Sequence, residues 1–290
     1  MPSRWGRWGA DDEAGALNLI GDTEVRAAVA LVREGRVISL GQSLGPGTPV
    51  PPHRNRPERF MRRDGGDYAS GARRPGGFQF AEDVVHFAPH TGTHVDALAH
   101  AWYEDRLYNG FPSSSIRSTT GAQRCGADKL RPIATRGLLL DLAAQSPEPP
   151  EEGRAFRDED LARAADAAGV MPQRGDAVLL HTGWLSRAGE DASRYFGGEP
   201  GIDVSAAQWL ADAEVAVVGA DNYAVEAQPS AAGTNFPVHQ LLMRDHGVPL
   251  IENLLLGELV RLGRAVFFFV AAPLPLVGGT AGPVCPVAIL

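Results

Sequence analysis

The segment His90-Thr91-Gly92-Thr93-His94-Val95-Asp96-Ala97-Leu98-Ala99-His100 holds three of the chain's eight histidines and one carboxylate. These are the residue types that bind metals and move protons. One isolated histidine is more often a satisfied core or surface residue. Four such groups in a short, glycine-containing segment point to a divalent-metal site. His90 and His94 stand four apart, the spacing that puts two side chains on one helix face. A zincin-type helix fails here, because Pro89 precedes the first histidine, Gly92 and the β-branched Thr91 and Thr93 lie between, and no glutamate follows His90. A turn followed by an extended segment fits better. In an extended segment His94 and Asp96 point to the same side, and Gly92 lets the chain curl so that His90 joins them.

Two imidazoles and a carboxylate form a facial ligand set suited to Zn²⁺, Mn²⁺ or Fe²⁺, with positions left open for water and substrate. A divalent ion held this way acidifies its water toward a pKa of about 7 and polarises a carbonyl, which suits a hydrolase. His100 then serves as the proton-transfer group, since imidazole titrates near working pH. His239 and Glu252 are the later residues that could complete the metal site. Glu252 lies in the apolar run Pro249-Leu250-Ile251-Glu252-Asn253-Leu254, and a buried carboxylate needs a partner or a metal. Asp221 reads first as a turn-former, and His86 and His181 are weaker ligand candidates. Phe78, Phe80 and Trp102 flank the motif; Phe80 and Trp102 are expected to contact an aromatic or cyclic substrate, with a core role as the alternative.

The elements that must position these residues alternate. Asp22 reads as the N-cap of a helix carrying Val25, Val29 and Val32, with Gly35 beyond its end. Strands are expected at Val37 to Leu40, Gly137 to Leu142, Ala177 to Leu180, Val215 to Val218, Val248 to Leu256 and Val266 to Val270. Helices are expected at Asp160 to Ala168, from a Ser205 cap through Leu210, and at Val238 to Asp245, closed by Gly247. Phe78 to Phe87 reads as extended, and Ser146 to Gly153 as a Pro/Glu loop. Strand–helix alternation argues an α/β architecture, and with no repeat or linker the chain, residues 1–290, reads as one domain. Residues 45–77, rich in Pro and Gly, carry seven arginines between Arg54 and Arg74. They read as a structureless segment, either a solvated loop or a lid or subunit-contact arm near the site.

The 290 residues are 44% hydrophobic and 21% charged, enough apolar material for a sizeable core. The net charge of −8 argues against a nucleic-acid partner. Cys125 and Cys285, far apart, give neither a disulfide framework nor a Cys-type zinc site; the expectation is a reducing, cytoplasmic compartment without a signal peptide. The uncharged stretch Ala265 to Leu290 is long enough to span a membrane. Its four prolines, at 273, 275, 283 and 286, argue instead for two buried strands joined by a turn.

The motif His90-Thr-Gly-Thr-His94-Val-Asp96 with His100 resembles the His-x-Gly-Thr-His-x-Asp-x-Pro-x-His signature of the metal-dependent cyclase family, which includes bacterial kynurenine formamidases and isatin hydrolases. The resemblance extends through Gly175 to Trp184, Gly219-Ala-Asp221-Asn222, and Pro237-Val-His239 through Ile251-Glu252-Asn253-Leu254. It departs where Leu98 replaces the proline, and in extra length at the N-terminus and in residues 45–77. The resemblance implies a swivelling β/β/α fold, a β-barrel-like mixed sheet flanked by helices, assembled as a homo-dimer or homo-tetramer. It implies that His90, His94 and Asp96 bind a first zinc or manganese ion and that His100 is the catalytic acid–base. His239 and Glu252, with Asp96, would hold a second ion. The expected activity is hydrolysis of an amide, imide or lactam C–N bond in a small molecule, with a metal-dependent cyclase or dehydratase as the alternative. A serine hydrolase is disfavoured, because no Gly-x-Ser-x-Gly elbow occurs.

Overall fold

The computed structural model describes residues 3–145, 147–189 and 191–290. In chain order, helix α1 (Asp22–Val29) precedes β1 (Val37–Ser39). A hairpin arm follows, built from β2 (Glu58–Arg63), a short helix α2 (Gly65–Ala69) and β3 (Glu82–His86). Then come β4 (His94–Asp96), a small hairpin of β5 (Ile116–Arg117) and β6 (Gly121–Ala122), the long β7 (Ile133–Asp141), and β8 (Ala155–Phe156). Helix α3 (Asp158–Ala168), β9 (Ala177–His181), helix α4 (Ala192–Tyr195), β10 (Gly201–Ile202), helix α5 (Val204–Asp212) and β11 (Val217–Ala220) give the alternating middle. The chain closes with α6 (Pro237–His239), β12 (Leu250–Glu252), α7 (Gly257–Arg261), β13 (Val266–Ala271), β14 (Ala281–Pro283) and β15 (Val287–Ile289).

Among the described residues, nine strands form one curled mixed sheet in the order β1-β15-β13-β7-β9-β11-β12-β4-β14. Its centre, β7-β9-β11-β12, is parallel and both flanks are antiparallel. Sequence patterning explains the division. Ala177 to Leu180 and all of β11 are buried, as strands covered on two faces must be. On the flank, β13 alternates, with Phe267, Phe269 and Ala271 buried and the residues between them half-buried. Gly137 on β7 makes room for this packing, since a Cβ there would lie 2.2 Å from the Phe267 ring. Helices α3 and α5 pack together, and Leu161, Ala164 and Ala165 of the one and Ala206, Ala207, Leu210 and Ala211 of the other are buried.

The observed elements shift several sequence expectations. Gly21, not Asp22, caps α1, and its amide donates to Glu24. Asp203 rather than Ser205 caps α5; its carboxylate accepts the Ser205 and Ala206 amides at 2.8 and 3.1 Å and also the Ser205 hydroxyl. The helix expected over Val238 to Asp245 is a single α-turn continuing as a π-helix from Gln240 to Asp245, and Gly247, at φ 66°, follows its end. The strand expected over Val248 to Leu256 is confined to β12, because the Leu254 and Leu255 amides turn away to the carbonyls of Ala220 and Leu40. Ala265 to Leu290 forms three strands rather than two, and no described helix is long and apolar enough to cross a membrane. Residues 45–77 are not structureless: Asp64 caps α2, and β2 pairs with β3 in the arm. Of the Pro/Glu loop, Ser146 lies outside the described residues.

Candidate metal centre

Strand β4 lies between β12 and β14, and that placement assembles the centre. Glu252 on β12 is paired in register with His94, so the two side chains share a face. Asp96, two residues on from His94, points the same way, with the His94 Nε2 to Asp96 Oδ1 distance 3.4 Å. Gly92, at φ 61°, adopts the left-handed backbone that turns the preceding chain back. His90 thereby joins the pair, its Nδ1 2.8 Å from Asp96 Oδ1. His239 enters from α6, with Nε2 3.8 Å from Asp96 Oδ2 and 3.6 Å from Glu252 Oε1. Glu252 Oε2 lies 3.2 Å from His94 Nε2.

Each of these imidazoles has its outward nitrogen occupied. His90 Nε2 bonds the Thr280 hydroxyl at 3.0 Å, His94 Nδ1 bonds the Gly92 carbonyl at 2.9 Å, and His239 Nδ1 bonds Glu226 at 2.6 Å. The inward nitrogens are left to converge on the carboxylates. Among the described residues, His94 Nε2 and both oxygens of Asp96 are buried without a hydrogen-bond partner. Buried polar atoms are normally paired. Orphaned donor atoms aimed at one another, with the far side of each ring anchored, are the arrangement a divalent cation satisfies. The atoms of His90, His94 and Asp96 lie within 4.8 Å of one another, and so do those of Asp96, His100 and His239. The residues therefore fit a metal, and Asp96 belongs to both groups.

Electrostatics are tightly coupled here. Burial opposes a charge on His94, yet Asp96 and Glu252 outweigh it and hold the ring up at about 10. His239 is likewise held up at about 10, against burial, by Glu226 and Glu252. Asp96 stays well below the usual carboxylate range despite burial, through His100, His90 and His94. Glu252 is also lowered, by His239 and His94 against burial and the charge of Asp96. Ring protons on His94 and His239 thus compete with a cation for the same carboxylates. His100 differs, because burial pushes it down to about 4, although Asp96 pulls the other way. At neutral pH it is a neutral base. Leu98 does not displace it: the His100 amide closes a turn onto the Ala97 carbonyl, and its ring lies 4.2 Å from that of His90.

The other expected residues are placed as follows. Phe80 sits in the arm, stacked on Phe78 at 5.8 Å with the Arg74 guanidinium 4.7 Å from its ring centre. Trp102 is 41% exposed, two residues beyond His100. His86 is on the exposed arm, 3.8 Å from Glu58. His181 lies apart from the centre, between Asp141 at 2.8 Å and Asp221 at 3.7 Å. Asp221 pins the loop that follows β9: its carboxylate accepts the Thr182 and Gly183 amides and the Thr182 hydroxyl. Sequence reasoning missed Thr280 and Glu226, which anchor His90 and His239. No spacing rule connects either to the motif, and only the fold reveals them.

The family model described as putative cyclase matches residues 38–227. An isatin hydrolase from Roseibium aggregatum is 27% identical over 274 residues, covering 91% of this chain and 95% of its own. Among solved structures, one described as a novel cyclase superposes over the full length of both chains, with a TM-score of 0.93 and 32% identity. Isatin hydrolase A from Ralstonia solanacearum is similar at a TM-score of 0.65 and 25% identity, over 87% of this chain and 91% of its own. The chain belongs to this cyclase family, and its curled mixed sheet flanked by helices is the family's fold.

Proposed function

We propose that this protein is a metal-dependent hydrolase that cleaves the C–N bond of an amide, imide or lactam in a small substrate. The observation that carries the reading is the convergence of His90, His94, Asp96, His239 and Glu252, with His94 Nε2 and both Asp96 oxygens unpaired among the described residues and the outward ring nitrogens anchored. Likeness to a curated isatin hydrolase supports the class of bond. His90, His94 and Asp96 would hold one zinc or manganese ion; Asp96, His239 and Glu252 would hold a second. When bound, such an ion supplies Lewis acidity, lowering the pKa of water and polarising a carbonyl. His100, neutral and beside these residues, takes a proton from the attacking water and returns it to the departing nitrogen. Burial of the cluster keeps bulk water from competing for these donors. Phe80 and Trp102 are assigned to substrate contact because they flank the motif in the sequence. The chain is read as one cytoplasmic domain, residues 1–290, forming a homo-dimer or homo-tetramer.

A cyclase or dehydratase is the second reading, favoured by the full-length likeness to a structure described as a novel cyclase. One experiment separates the two. Protein purified without added metal is assayed for metal content, then incubated with cyclic imides, lactams including isatin, and N-formyl aromatic amides. Hydrolysis gives products heavier by one water or cleaved at the C–N bond. Products that are only isomers, or lighter by one water, overturn the hydrolase reading.

A further inference from the structure

Glu226 is 1% exposed, and among the described residues the hydrogen bonds its carboxylate accepts all come from one segment. Its Oε1 accepts the ring Nδ1–H of His239 at 2.6 Å and the His239 amide at 2.9 Å. Its Oε2 accepts the Val238 amide at 3.1 Å. One carboxylate therefore grips both the backbone and the ring of His239. The grip needs Glu226 to lie deep, and β10 provides for that. Residues 202 and 226 are bridged in parallel, and a Cβ at Gly201 would lie only 2.3 Å from the Glu226 carbonyl carbon.

The segment leading to His239 is bent to meet this carboxylate. Phe236 holds a left-handed backbone, φ 49° and ψ 53°, unusual for a bulky residue. Its amide donates to the Ser230 hydroxyl at 3.1 Å, and its ring stands edge-on to His239 at 5.3 Å. His90 and His94 are anchored by a hydroxyl and a carbonyl, both neutral. His239 is anchored by a buried carboxylate, which fixes the tautomer and raises the basicity of the opposite nitrogen.

We infer that Glu226 is the positioning residue for the second metal equivalent: it keeps the proton of His239 on Nδ1 and aims Nε2 between Asp96 and Glu252. This rests on the metal-dependent reading above.

The test is calorimetric titration of the metal-stripped full chain with Zn²⁺, for wild type and Glu226→Gln, with circular dichroism to verify folding. Wild type is expected to bind two equivalents. Glu226→Gln should keep one and bind the other about 10- to 100-fold more weakly. In zinc-loaded wild type, ¹⁵N–¹H spectra of the ring should show His239 protonated at Nδ1 only. This second measurement decides the matter if Glu226→Gln does not fold. Two equivalents in Glu226→Gln with unchanged affinity, or one equivalent in wild type that the substitution leaves unchanged, overturn the inference while leaving the hydrolase reading intact. A proton on Nε2 of His239 in the zinc-loaded protein overturns it as well. No zinc uptake by wild type overturns both.

Discussion

Asp96 and His100 illustrate how a few ångströms separate a ligand from a proton carrier. Asp96 has both oxygens orphaned and sits within reach of His90, His94, His100 and His239. His100 lies in the same cluster, but burial holds its ring neutral. If it transfers protons, His100→Ala should lower turnover about 10²- to 10⁴-fold, the usual range for a lost acid–base group, with metal content per chain unchanged. Loss of metal together with activity would reassign His100 as a ligand beside Asp96 and His239. A second histidine tests stability. His246 is buried, with both ring nitrogens unpartnered among the described residues, and burial, then the charge of Arg4, push it down to about 4. Its unfolded value is about 6.5. Because the folded pKa is depressed, the folded state holds the neutral ring. Its stability contribution is complete above about pH 6.5 and is lost as pH falls toward 4. Urea midpoints compared at pH 7.5 and pH 4.5 should therefore fall for wild type by more than for His246→Phe, with a difference on the order of 2 kcal/mol. Equal falls would show that His246 does not couple to folding.

Elements decide which parts of the site could be read in advance. His90, His94 and Asp96 are local: period-two alternation puts two of them on one side, and one glycine returns the third. That arrangement follows from eleven residues, and Gly92 has the positive φ it requires. Apart from the family resemblance, Glu252 was legible only as a carboxylate in an apolar run; its pairing with His94 depends on β12 lying against β4, which no local pattern encodes. Glu226 and Thr280 were illegible for the same reason. The parallel centre was visible as short apolar runs between helices, whereas the arm was hidden because Pro and Gly dominate its flanks. Boundaries failed where a neighbouring residue held the stronger hydrogen-bonding group, as at α5. There Asp203 takes two amides, so Asp203→Ala should destabilise the protein by about 1 kcal/mol. Ser205→Ala should cost distinctly less, and neither should alter turnover. Thermal unfolding of the two variants checks this, and equal losses would restore Ser205 as the cap.

At the scale of the whole molecule, the arm is the part whose shape the single chain does not explain. All of β3 and all of β2 except Arg63 are exposed. A two-stranded hairpin alone is at best marginally stable in water. This one also presents Phe60 and Val84 as directly paired neighbours, 58% and 44% exposed, while Met61 and Val85, also exposed, point to the opposite face of the hairpin. Apolar clusters of this kind mark contact surfaces. The arm itself, residues 58–86, is balanced in charge, with five arginines against Glu58, Asp64, Asp67, Glu82 and Asp83, so its apolar side chains rather than its charge favour a contact with another copy of the chain. The segment that leads into the arm is tied to the site as well, since the Arg54 guanidinium donates to the His90 carbonyl. The expected state in solution is therefore a homo-dimer or homo-tetramer held in part by the arm. Light scattering should report that mass for wild type. Phe60→Glu with Val84→Lys, which places charge on the apolar pair, should shift it to the monomer while the far-ultraviolet spectrum stays the same. Raising the salt concentration should leave the wild-type assembly in place, because the contact is argued from apolar side chains rather than from charge. A wild-type protein that is monomeric at every concentration, or a double variant with unchanged mass, would mean that the arm serves the site from within its own chain.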